Sequence, residues 1–107
     1  MTVSQYQMIL CTCPNEDVAR DIATGLVKEK LAACVNMIAG VTSVYMWQNE
    51  INQDREVQLL IKSQVHLFDD LVQYIEQKHP YDVPEVIAVN IQQGNNAYLN
   101  WINETLQ

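Results

Sequence analysis

The side chains here with the greatest capacity for chemistry are soft metal donors: Cys11, Cys13, Cys34, His66, His79 and four methionines. Thiolate and imidazole together suit copper or zinc. Cys11 and Cys13 stand two apart, so a straight strand would direct both to one face. Two ligands alone do not build a centre, and no spacing here matches a structural zinc motif. Each residue also has a plainer role open to it. A free cysteine often serves as a small buried hydrophobe, which would account for Cys11. Cys34, within Leu31-Ala32-Ala33-Cys34-Val35, reads as packing, and His66 as the start of a helix. His79 lies between a helix and Pro80, where the helix dipole favours the protonated ring. It is either a solvated C-terminal residue or a ligand or proton-handling group in a cleft also lined by Tyr81 and Glu85. A protonated imidazole cannot ligate, so a metal held there would bind more weakly as pH falls.

Other chemistry finds no support, and the chain reads as a non-enzyme. The three serines (Ser4, Ser43, Ser63) sit in no strained elbow motif, no glycine-rich phosphate loop occurs, and the carboxylates are scattered. Six Lys+Arg face 13 Asp+Glu, for a formal net charge of −7 and no basic run. A duplex-binding surface needs several cations to displace counterions, so nucleic acid is excluded as a partner, and an anionic membrane with it. The acidity would concentrate metal cations nearby without selecting among them, and solubility alone would also explain it. No stretch approaches the roughly 18 apolar residues of a membrane span. Met1-Thr2-Val3-Ser4-Gln5 lacks the basic and apolar blocks of a secretory signal. Three cysteines make no disulfide framework. The cytoplasm, where thiols stay reduced, is the expected compartment.

The elements that must position these residues follow from periodicity. With 107 residues, 49% of them hydrophobic, the chain suits one domain spanning 1–107. Tyr6–Thr12 reads as a strand with Met8 and Leu10 on one face and Ile9 and Cys11 on the other, hence covered on both sides. Asn15 caps a helix running to Lys30, with Gly25 marking close packing. Ala33–Trp47 and Ile51–Lys62 pair as long strands around a turn at Gln48-Asn49-Glu50, and Gly40 supplies a bulge or bend. At about twice the usual strand length, their outer ends overhang so small a domain. A second helix spans His66–Lys78, a strand Val86–Gln92, and a last helix Ala97–Leu106. The two prolines keep residues 79–84 in a loop.

This β-α-β-β-α-β order with a C-terminal helix is the ferredoxin-like α+β arrangement, two helices on one face of an antiparallel sheet. The other face, expected to carry Cys11, needs a cover, and homo-oligomerisation would provide it. The fold alone assigns no function. Strand three lacks the aromatics of an RNA-recognition domain. The first loop lacks the arginine and anion cradle of an acylphosphatase. Cys11-Thr12-Cys13 is one residue too short for the Cys-x-x-Cys of a heavy-metal carrier.

Several strings then occur in register: Cys11-Thr12-Cys13-Pro14-Asn15, Lys30-Leu31-Ala32-Ala33-Cys34-Val35-Asn36, Ser43-Val44-Tyr45-Met46-Trp47, Glu56-Val57, Ile61-Lys62-Ser63, His79-Pro80-Tyr81-Asp82-Val83-Pro84-Glu85 and Tyr98-Leu99-Asn100-Trp101. From Tyr6 to Leu106 the sequence resembles the CutA divalent-cation tolerance family. The resemblance implies a homotrimer similar to the PII signalling proteins, with the long hairpin reaching a neighbour. It also implies a role in tolerance of metal ions, with a copper ion bound by the cysteine ending strand one and a histidine pair before Pro-Tyr. Those positions are Cys11, Lys78 and His79, so only Cys11 and His79 carry over as metal ligands; the two could hold copper(I) linearly, or need water or Cys13 to complete a divalent site. Lys78 offers no lone pair when protonated and at contact distance would repel a cation by roughly 1–4 kcal/mol. The alternative implied by PII-like trimers is a small anionic metabolite in inter-subunit clefts. Trp47, Glu56, Lys62, Tyr81 and Glu85 are the candidates, with Lys62 as the anion's partner. A structural trimer that anchors other proteins is a third reading.

Overall fold

The computed structural model describes residues 5–107; Met1–Ser4, on which most of the leader reading rests, lie outside them. The elements run β1 (Tyr6–Cys13), α1 (Glu16–Lys28), β2 (Cys34–Trp47), β3 (Glu50–Gln64), a 3₁₀ turn (Val65–Leu67), α2 (Phe68–Lys78), β4 (Ile87–Asn90) and α3 (Asn96–Thr105). The four strands form one antiparallel sheet in the order β2-β3-β1-β4. This is the expected ferredoxin-like arrangement.

Local chemistry sets most of the boundaries. The Asn15 side chain accepts the Val18 N–H at 2.9 Å, and Glu16 and Asp17 follow in the first turn where the dipole favours anions. α1 stops at Lys28, two residues short of the expected end. Lys30 turns into the left-handed region (φ 57°), and the Leu26 carbonyl takes the N–H groups of both Leu31 and Ala32. At Gly25 an added Cβ would lie 2.7 Å from Cζ of the Tyr74 ring, so the helices meet there without room for a methyl group. In the hairpin β2 begins one residue later than expected, with 14 residues, whereas β3 extends beyond its expected span at both ends, with 15. Gln48 and Asn49 both have positive φ between the paired Trp47 and Glu50, a two-residue type I′ turn. Gly40 (φ 76°) sits where the register passes from Ile38–Gln58 to Val41–Glu56, a one-residue bulge. β4 is shorter than expected because it pairs only with Gln7–Leu10.

The register assigns the faces. Ile9, Cys11 and Cys13 stand opposite Ile61, Leu59 and Val57, and all six are buried in the core with Ala19, Ile22, Leu26, Leu71 and Ile75 of the helices. Cys11 therefore lies on the helix-covered face, not the bare one where it was expected. Both faces of β1 are apolar, so alternation could not distinguish them. The opposite face carries Met8 and Leu10 with their partners Lys62, Leu60, Val89 and Ile87. Near one end of the sheet α3 buries Ile102 and Leu106 with Ala33, Tyr6 and Leu67 packed around them, and Gln64 donates to Asn103 at 2.9 Å.

Candidate functional site

Two elements converge at the site. The C-terminal half of β1 turns Cys11 and Cys13 inward, since residues two apart share a face. α2 ends at its C-cap, His79, whose backbone becomes extended (ψ 137°) as the following Pro80 requires, while its N–H still bonds the Ile75 carbonyl at 2.7 Å. That change of direction brings the imidazole in over β1. Its Nε2 lies 2.7 Å from the Thr12 carbonyl, and its Nδ1 accepts the Tyr81 N–H at 3.1 Å. An acceptor at Nδ1 and a donor at Nε2 define the neutral Nε2–H tautomer. The ring is only 7% exposed and packs against Tyr81 at 4.7 Å between centroids. A solvated, protonated histidine was one expectation from the helix terminus; here two backbone groups engage the neutral ring instead.

The Cys11 and Cys13 sulfurs and a ring nitrogen of His79 all lie within 4.8 Å of one another, and all three residues are buried. The two thiols act on each other. A hydrogen bond to Cys13, then burial and the negative charge of Cys13, Glu85 and Glu56, holds the Cys11 thiol well above the usual range. Cys13 is pulled below it because Cys11 donates to its sulfur, which outweighs burial. Sequence reasoning placed Cys13 only as a supplementary donor; the i, i+2 spacing was its signal.

Of the five cleft candidates, Trp47, Glu56, Tyr81 and Glu85 line one groove of about 800 Å³ between the outer hairpin and the loop after α2. The Tyr81 hydroxyl donates to the buried Glu56 carboxylate at 2.8 Å. Burial, then this bond, pushes the Tyr81 phenol up. Lys62 is not among the lining residues, and its ammonium donates to Asn36. Asp54, Glu56, Asp82 and Glu85 bring carboxylates to the groove, and among the described residues no Lys, Arg or His lines it. Lys78 stands with its ammonium 5.9 Å from the Tyr74 ring centroid, on the side where α2 meets α1. His66 is exposed in the 3₁₀ turn, and Cys34 is half-buried apart from the cluster.

The profile of the CutA1 divalent ion tolerance protein family matches residues 7–105. The chain belongs to this family. Among its members, the divalent-cation tolerance protein CutA of Thermus thermophilus is 48% identical over 98 residues, covering 92% of this chain and 95% of that protein. The human Protein CutA is 46% identical over 96 residues, covering 90% of this chain and 54% of its own length. The chain thus spans about half the length of that CutA relative. Among solved structures, Cut A1 from T. thermophilus superposes with a TM-score of 0.92 at 47% identity over 94% of this chain and 97% of the other. CutA1 from Oryza sativa gives 0.93 at 39% identity over 98% and 96%. A CutA from Archaeoglobus fulgidus, 30% identical with a TM-score of 0.93 over 95% and 99%, is described as periplasmic. The CutA fold is therefore shared across the described residues.

Proposed function

We propose that this chain acts in tolerance of divalent cations by binding a metal ion directly, with copper as the ion and Cys11 and His79 among its ligands. The convergence of buried thiols and imidazole from β1 and α2 carries this reading. Sulfur and nitrogen donors suit copper and zinc rather than magnesium or calcium. Ligation requires His79 to give up one of its two ring hydrogen bonds, a net cost of about 0.5–1.5 kcal/mol that a metal bond readily exceeds. The role is binding rather than catalysis. Calorimetric titration with copper(I), copper(II) and zinc tests it, with Cys11→Ala and His79→Ala as controls. Saturable binding weakened by both substitutions is the expected result. Affinity no tighter than about 100 μM, about −5.5 kcal/mol, or binding indifferent to both substitutions, overturns it.

The assembly we propose is a homotrimer. Ile87 and Val89 are 52% and 50% exposed on the face opposite the main core, and Ile51 at the hairpin tip is 75% exposed. Apolar surface of this kind marks an interaction site. Light scattering should return the mass of three chains, and a stable single chain at micromolar concentration would overturn the assembly. The cytoplasm is the proposed location, supported by three free thiols. Recovery of the protein from the periplasm on cell fractionation would count decisively against it.

A further inference from the structure

We propose that Cys13 is a third metal ligand, making the site a two-sulfur, one-nitrogen centre that selects copper(I) over zinc. The inference rests on the metal-binding reading above and specifies its donor set. Cys13 has no exposed surface and points, like Cys11, into the space beneath His79. Metal–sulfur and metal–nitrogen bonds of about 2.3 and 2.0 Å set donors in a trigonal plane about 3.7–4.0 Å apart. Donor atoms already within 4.8 Å of one another would need to close by no more than about 1 Å.

The same geometry disfavours zinc. Structural zinc takes four ligands, and among the described residues no fourth His, Cys, Asp or Glu joins the group. The nearby Glu56 carboxylate is engaged by Tyr81, and Cys11 and Cys13 belong to the apolar core cluster. Two soft thiolates and an imidazole satisfy copper(I), which is stable with three donors. In the tautomer present, Nδ1 holds the ring's lone pair and Nε2–H is anchored on the Thr12 carbonyl. Whichever ring nitrogen takes the ion gives up its present bond, to the Thr12 carbonyl or to the Tyr81 N–H, while the other keeps an outer hydrogen bond of the kind that orients ligating histidines. Each thiol that ligates releases its proton to solvent, and the ion arrives and remains as copper(I), so no electron is transferred.

The test is an anaerobic titration of the whole protein with copper(I) against a competing chromogenic chelator, paired with X-ray absorption at the copper edge. Wild type should show two sulfur donors and one nitrogen donor. Cys13→Ala should lose affinity by more than about 100-fold, beyond the 10–100-fold typical of outer contacts. Zinc should compete poorly for the copper(I) site. The wild-type donor count needs no variant and stands even where Cys13→Ala folds badly. Copper(I) bound through one sulfur, or a Cys13→Ala protein that binds as tightly as wild type, overturns the role of Cys13 while leaving Cys11 and His79 as ligands. Zinc that displaces copper(I) overturns the selectivity. No copper(I) binding removes this inference, and the metal-binding reading falls with it only if calorimetry finds no binding of copper(II) or zinc either.

Discussion

At the scale of single residues, the pair most open to test is Tyr81 and Glu56. Glu56 is 7% exposed and takes its hydrogen bond from a phenol that is itself 37% exposed. Removing the donor leaves a buried carboxylate less satisfied, but water can reach the vacated position. Tyr81→Phe should therefore cost about 1 kcal/mol, at the low end of the 1–3 kcal/mol for an unsatisfied buried group. Urea denaturation with an unchanged m-value would register it. The same contact has a pH signature. The Tyr81 phenol is held above its ordinary value in the folded state, so the unfolded chain ionises first. Its contribution is fully present below about pH 10 and is lost as pH rises beyond that. Wild-type stability should fall more steeply than that of Tyr81→Phe above about pH 10, and parallel profiles would show that the phenol is not held up.

At the scale of elements, the long hairpin depends on one glycine. Gly40 adopts φ 76° at the bulge, and nothing lies within 4 Å of the position a Cβ would take. Its substitution is thus a test of backbone conformation free of steric clash. Gly40→Ala should destabilise by about 1–2 kcal/mol, the cost of the left-handed region for an L-residue. A neutral result in thermal denaturation would mean that the bulge shifts its register. Gly40 was legible in the sequence as an isolated glycine in an alternating strand, and Asn15 and Pro80 were legible for the same kind of reason. Each acts on backbone torsions or hydrogen bonds within a few residues. The extent of β4 was not legible, because a strand ends where its partner ends, and that partner, β1, lies about 80 residues away in sequence.

At the scale of the whole molecule, the uncovered sheet face sets the expectation. Val89 lies beside Met8 on that face and Ile87 beside Leu10. A charge introduced at Val89 would be tolerated by an isolated chain, since the residue is already half exposed. In an assembly that buries this face it would be desolvated without a partner, at a cost of several kcal/mol. Val89→Asp should therefore dissociate the proposed trimer while circular dichroism retains the mixed helix and strand signal. An intact trimer would show that this edge is not at the interface.

The sequence by itself determined the order of elements, the Asn15 cap, the bulge, the proline-enforced end of α2, the long hairpin and the family. All of these depend on patterns a few residues long or on strings in register. Only the tertiary structure decided which face of β1 meets the helices, and hence that Cys11 and Cys13 point inward together. It also turned the His79 ring onto Thr12, across 67 residues of chain, and kept Lys62 out of the groove. The reason is physical. Periodicity shows which residues share a face, whereas the choice between two apolar faces of β1 is settled by burial against helices distant in sequence.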